Sequence, residues 1–191
     1  SLIIDGASES DIRQGVTLEV MGEGTSPGPI TDAMAARKEA GQTDVRYPVP
    51  WRTLGGYWEF LEQRGIATNV ASFVGFGAIR RVAVGDADRA PTDRELDRMK
   101  SLTARAMCDG ALGLSAGLYY APQSFARTDE VVALAREAAV RGGIYETHLR
   151  DEGSASIGLL PAIDEAIGIA RAAGLPLHIA HIKALGVDAR G

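Results

Sequence analysis

The sequence predicts an α/β fold, part of a (β/α)8 barrel, and three observations carry that expectation. Short runs rich in Val, Ile, Leu and Phe alternate with stretches whose apolar residues recur at helical spacing. The gaps between runs suit right-handed βαβ crossovers, which build parallel sheets. Two runs end in histidine, at His148 and His181, and the C-terminal ends of parallel barrel strands are where such folds place their chemistry.

The elements follow in order. Residues 17–21 form a β-rich run before the Gly- and Pro-rich loop 22–29. Residues 51–64 read as a helix stopped by Gly65, and 67–76 as the next strand. Thr92 opens a helix with a capping box, Glu95 standing at the third helical position. Leu96, Met99, Thr103, Ala106 and Met107 give that helix its inward face. Residues 111–118 are a strand of small residues leading into Tyr119 and Tyr120. Thr128 is the expected cap of the following helix, with Asp129 and Glu130 in the first turn, where the helix dipole favours acids. Val131, Leu134, Ala135 and Ala138 recur at helical spacing until Gly142 and Gly143. After the strand 143–148, Ile163, Ala166, Ile167 and Ala170 mark a helix stopped by Gly174, and the strand 175–181 follows.

Those five strands are too few to close an eight-stranded barrel. The expectation is therefore a single domain, 1–191, that is a barrel fragment truncated at both ends. A start at Ser1 without Met and a stop at Gly191, just past a strand, agree with it. A doubly wound open sheet is the alternative, but no Gly-x-Gly-x-x-Gly follows a first strand.

Composition narrows the partners. The net charge of −5 is mild and Lys and Arg form no cluster, so no nucleic-acid partner is expected. The apolar runs are too short to span a bilayer, so no membrane partner is expected either. The lone Cys108 excludes an internal disulfide and suits a reducing, cytoplasmic setting; it reads as a small apolar residue in a helix.

Strand alternation sorts the candidate site residues. Leu177, Ile179 and His181 share one face, which makes His181 the better inward ligand and leaves His178 to pack against the helices. Glu146 shares a face with His148, and Glu19 with Met21 and Glu23. Glu23 lies just past its strand between glycines, a plausible metal ligand or simply a solvated loop acid. Glu19 and Glu146 sit deeper and need partners if they face inward. Two imidazoles and a carboxylate suit a divalent ion such as Zn²⁺, which polarises carbonyls and acidifies bound water. Lys183 and Arg150, each two residues past a histidine, could bind an anionic substrate group or be surface cations. Tyr120 is a candidate substrate contact or a core residue, and 151–153 reads as an acidic turn before a helix.

Four segments then carry a resemblance: 15–26 (Gly-Val-Thr-Leu-Glu-Val-Met-Gly-Glu-Gly-Thr-Ser), 113–120 (Gly-Leu-Ser-Ala-Gly-Leu-Tyr-Tyr), 145–153 (Tyr-Glu-Thr-His-Leu-Arg-Asp-Glu-Gly) and 178–183 (His-Ile-Ala-His-Ile-Lys). In order, and along nearly the whole chain, they resemble the N-acyl-D-amino-acid deacylases (D-aminoacylases) of the amidohydrolase superfamily. That resemblance implies a (β/α)8 hydrolase with one or two zinc ions, acting on small N-acyl amino acids. His148 and His181 match its strand-end ligands, and Glu23 falls where many members have cysteine. Lys183 matches a lysine that holds the substrate carboxylate, and Tyr120 a substrate-contacting tyrosine. The departures are a first-strand His-x-His, expected upstream of Ser1, and the general-base aspartate, expected beyond Gly191. Phe76 stands where some relatives carry histidine. A cyclic-amide hydrolase of the dihydroorotase or hydantoinase kind is the rival, but no strand here ends in the lysine such enzymes carboxylate. A non-catalytic barrel fragment is the other alternative; an upstream His-x-His and a downstream strand-end Asp in the coding sequence would argue against it.

Overall fold

The structure is a computed structural model and describes residues 2–186. Its strands are β1 (Leu18–Met21), β2 (Asn69–Ser72), β3 (Val74–Gly75), β4 (Gly113–Gly117), β5 (Ile144–His148) and β6 (Leu177–Ile179). Every pairing is parallel, β1 with β2 and then β3-β4-β5-β6. β2 and β3 are one predicted strand interrupted at Phe73, whose N–H still donates to Met21 O at 2.9 Å. The helices are α1 (Glu9–Ile12), α2 (Asp32–Ala40), α3 (Leu54–Arg64), α4 (Phe76–Ala83), α5 (Asp93–Cys108), α6 (Thr128–Ala139) and α7 (Leu159–Ala173). The chain is thus an α/β fold built on parallel strands.

Helices α4 to α7 bury one face of the sheet. Val74, Leu114, Ala116 and Tyr145 of the strands meet Ile79, Met99, Val131, Leu134 and Ile169 in a common apolar core. Each helix turns toward it the stripe its spacing dictates. Helix α5 starts with the full capping box, Thr92 Oγ1 accepting from Glu95 N while Glu95 accepts from Thr92 N. Helix α7 ends at Gly174 in the left-handed conformation, φ +76°, that glycine adopts without strain.

Several expectations need correction. Phe76 does not end a strand: it is the first residue of α4 and lies fully buried in the core. Helix α3 starts at Leu54, capped by Thr53, so Trp51 precedes it and packs against Tyr57 and Phe60. Thr128 is inside α6, with Arg127 at the cap, and its hydroxyl donates to Glu165 across to α7. Glu130 stands in the first turn of α6 as expected, and there it is buried as the partner of Arg80 from α4. Cys108 does lie in a helix as expected, as the exposed last residue of α5.

Candidate functional site

The sheet face away from the helices carries the polar residues. Register aligns Gly75, Ser115, Glu146 and His178 in one row across four strands. A cavity of about 650 Å³ opens there, with Glu146, His178, Ile144, Leu112, Glu23 and His181 among its lining. His178 therefore faces this cavity and not the helices, contrary to the sequence reading. Alternation separated Leu177 and Ile179 from His178 as expected, but the apolar pair is the one that packs against α7.

His181 reaches the same side by another route. β6 ends at Ile179, and His181 adopts φ +32°, an uncommon conformation for a residue other than glycine. That turn breaks the alternation and brings its imidazole to His148, whose Nδ1 lies 3.0 Å from His181 Nε2. Glu23 arrives similarly: Gly22 past the end of β1 has φ +98°, and a Cβ there would sit 2.4 Å from Phe73 O. Only glycine takes that conformation in that space. Glu19 instead turns away and accepts from Ser8 and Thr68.

The loop bearing Glu23 is pinned onto the strand ends. Gly24 N donates to Ser115 Oγ at 2.6 Å, Gly77 N to Gly24 O at 2.9 Å, and Gly75 N to Ser26 Oγ at 2.9 Å. Ser115 in turn donates to the Glu146 carboxylate, whose pKa burial pushes up while that hydrogen bond opposes the shift. Gly75 lets the loop lie this close, since a Cβ would meet Thr25 Cα at 2.3 Å.

Three donors converge as a result. His181 Nε2 lies 2.6 Å from Glu23 Oε1, which is 3.8 Å from His148 Nδ1, and all three donor atoms fall within 4.8 Å of one another. Burial pushes the His148 pKa down, favouring the neutral ring that binds metals. The hydrogen bond to Glu23 pushes that of His181 up. Behind the histidines sits Glu152, buried at 4 % exposure, which the sequence reading passed over as part of an acidic turn. Its Oε1 accepts from Lys183 Nζ at 2.6 Å. The sequence shows only an acid four residues after a strand-end histidine; its burial is decided by the fold.

A cavity of about 490 Å³ adjoins the cluster, lined by Tyr120, Tyr119, His148, Glu152, Lys183 and the loop 153–155. The Tyr120 ring packs on the His148 ring at 4.9 Å between centroids. Asp151 shapes the loop by accepting the backbone N–H groups of Gly153, Ser156 and Gly158, led by Ser156, which hold its carboxyl well below the usual range. Arg150 does not join this group. Its guanidinium makes two hydrogen bonds to Glu165, at 2.8 and 2.9 Å, and also donates to the carbonyls of Ser124 and Ala126. It ties α7 to the segment before α6.

Parallel strands that gather two imidazoles and a carboxylate at and just past their C-terminal ends define the class, an α/β protein with a candidate metal centre. No protein-family model matches the chain. It is 34% identical over 176 residues to the D-aminoacylase of Alcaligenes xylosoxydans xylosoxydans, covering 92% of this chain and 36% of that protein. It is 31% identical to the N-acyl-D-glutamate deacylase of the same organism, covering 90% and 34%. A crystal structure of D-aminoacylase, described as defining a novel subset of amidohydrolases, superposes with a TM-score of 0.84 at 30% identity, over 97% of this chain and 38% of that one. The N-acyl-D-glutamate deacylase of Bordetella bronchiseptica, complexed with zinc and a phosphonate mimic of the tetrahedral intermediate, gives 0.80 over 92% and 36%. The chain spans just over a third of the length of the curated relatives it matches. Over that span it belongs to the N-acyl-D-amino-acid deacylase family of amidohydrolases.

Proposed function

We propose that this chain is a sector of a (β/α)8 barrel in a metal-dependent hydrolase that cleaves the linear amide of N-acyl-D-amino acids. The observation that carries the reading is the convergence of Glu23, His148 and His181, from three separate strand ends, within 4.8 Å. Two imidazoles and one carboxylate fit a zinc ion, and His148, disposed toward its neutral form, presents Nδ1 to the same point as His181 Nε2 and Glu23 Oε1. A bound zinc supplies Lewis acidity toward an amide carbonyl and a water more acidic than bulk.

The rest of the work assigned here falls to side chains of this chain. Glu23, His148 and His181 hold the ion. Lys183, 44 % exposed at its side chain and lining the adjoining cavity, takes the substrate carboxylate and sets the direction of the amide. Tyr120 bounds the same cavity and keeps the face of His148 covered. Cyclic-amide hydrolysis through a carboxylated strand-end lysine is not favoured, since the described strands end in Met21, Ser72, Gly75, Gly117, His148 and Ile179. The lone Cys108 keeps a cytoplasmic setting in this reading, and no helix among the described residues is long and apolar enough to cross a membrane.

The test is elemental analysis of the purified chain beside His148→Ala/His181→Ala, with turnover of an N-acetyl-D-amino acid compared with a hydantoin for the full coding-length protein. Near-stoichiometric zinc, lost in the double variant, and preference for the linear amide support the reading. A folded protein of full coding length that binds no zinc would sink it.

A further inference from the structure

One buried acid lies beside three side chains of this site, His148, His181 and Lys183. The two oxygens of Glu152 face the rear nitrogens of both histidines: Oε1 is 3.3 Å from His181 Nδ1, and Oε2 is 3.8 Å from His148 Nε2. The opposite nitrogens, His181 Nε2 and His148 Nδ1, are the ones that meet Glu23. Glu152 Oε1 also accepts from Lys183 Nζ at 2.6 Å, and that ammonium lies 3.0 Å from His181 Nδ1. His181 Nδ1 thus has two neighbours that ask opposite things of it. The lysine ammonium only donates and requires a lone pair there; the carboxylate only accepts and requires a hydrogen.

Which neighbour prevails depends on the other ring nitrogen. When Nε2 carries the hydrogen and donates to Glu23, Nδ1 is an acceptor and suits Lys183. When Nε2 gives its lone pair to a cation, the ring hydrogen sits on Nδ1, which then donates to Glu152 and no longer accepts from Lys183. Lys183 keeps its bond to Glu152 and gains a free N–H toward the cavity it lines. We propose that Glu152 is a positioning residue shared by His148, His181 and Lys183, and that it couples occupancy of the metal site to the readiness of Lys183 for a substrate carboxylate. This rests on the metal-site reading above.

The test compares wild-type protein of full coding length with E152Q, which preserves volume but turns one acceptor into a donor. Zinc affinity is read by competition with a chromogenic chelator, and KM for an N-acetyl-D-amino acid is read at saturating zinc. E152Q is expected to weaken zinc binding by about 10- to 100-fold. It should also raise KM, and that rise should vanish in a K183A background. Zinc affinity and KM both within about twofold of wild type in a folded E152Q would overturn the proposal. So would a lower unfolding midpoint of the zinc-free protein with unchanged zinc affinity, the mark of a purely structural role. Weaker zinc binding with unchanged KM would overturn the coupling to Lys183. Absence of zinc binding in the wild type would instead overturn the reading beneath it.

Discussion

The ion pair between Arg80 and Glu130 joins α4 to α6 with both side chains out of water, at 0 % and 4 % exposure. Arg80 Nε donates to Glu130 at 3.1 Å, and its other nitrogens donate to the carbonyls of Ala87 and Arg89 at 3.2 and 2.6 Å. Its two ends are not equivalent. Burial pushes the Glu130 pKa up despite the opposing arginine, so this acid can take a proton when its partner goes. A guanidinium has no such escape. Glu130→Ala, which strands the buried arginine, is therefore expected to cost about 3–5 kcal/mol.

Arg80→Met leaves a carboxylate whose folded pKa rises further above its unfolded value. The folded state then binds the proton more tightly, so the loss is largest above the folded pKa and shrinks as pH falls through it. Arg80→Met/Glu130→Leu removes both charges. The exposed segment holding Ala87 and Arg89 can return its carbonyls to water, at about 0.5–1.5 kcal/mol per lost bond. The double variant is then expected to be more stable than Glu130→Ala. Urea unfolding followed by circular dichroism at pH 7 and pH 5 reads all three. A Glu130→Ala cost below about 1 kcal/mol, or a double variant no more stable than Glu130→Ala, would refute the reasoning.

Other expected outcomes follow from the same geometry. Gly75→Ala should push the 24–26 loop off its strand, because its Cβ would lie 2.3 Å from Thr25 Cα; zinc affinity should fall while far-ultraviolet circular dichroism stays near wild type. Lys183→Ala should mainly raise KM for an N-acyl-D-amino acid, and an unchanged KM would remove it from substrate binding. Glu95 has its pKa held down to about 2, first by the hydrogen bond from Arg89 and then by Thr92 N–H. A depressed acid contributes stability that is present above its unfolded pKa and lost as pH falls through the folded one. The urea midpoint should therefore decline between about pH 4.5 and 2 less steeply in Glu95→Gln than in wild type.

The sequence by itself determined the parallel α/β rhythm, the Thr92–Glu95 cap, the stop at Gly174 and the strand-end position of His148. These are local: periodicity, caps and turn residues act over a few positions and leave their mark in composition. Only the tertiary structure decided which face of β6 is which. Alternation paired Leu177 with Ile179, but that pair faces the helices because α7 offers them an apolar surface. His178 is thereby left to the cavity, and His181 joins it only through its positive φ. Arg150 looked like Lys183 in sequence, two residues past a histidine. Glu165 on α7 claims the one, and Glu152 beside the cavity holds the other. Such choices depend on which distant groups arrive within hydrogen-bond reach, and chain spacing carries no record of that.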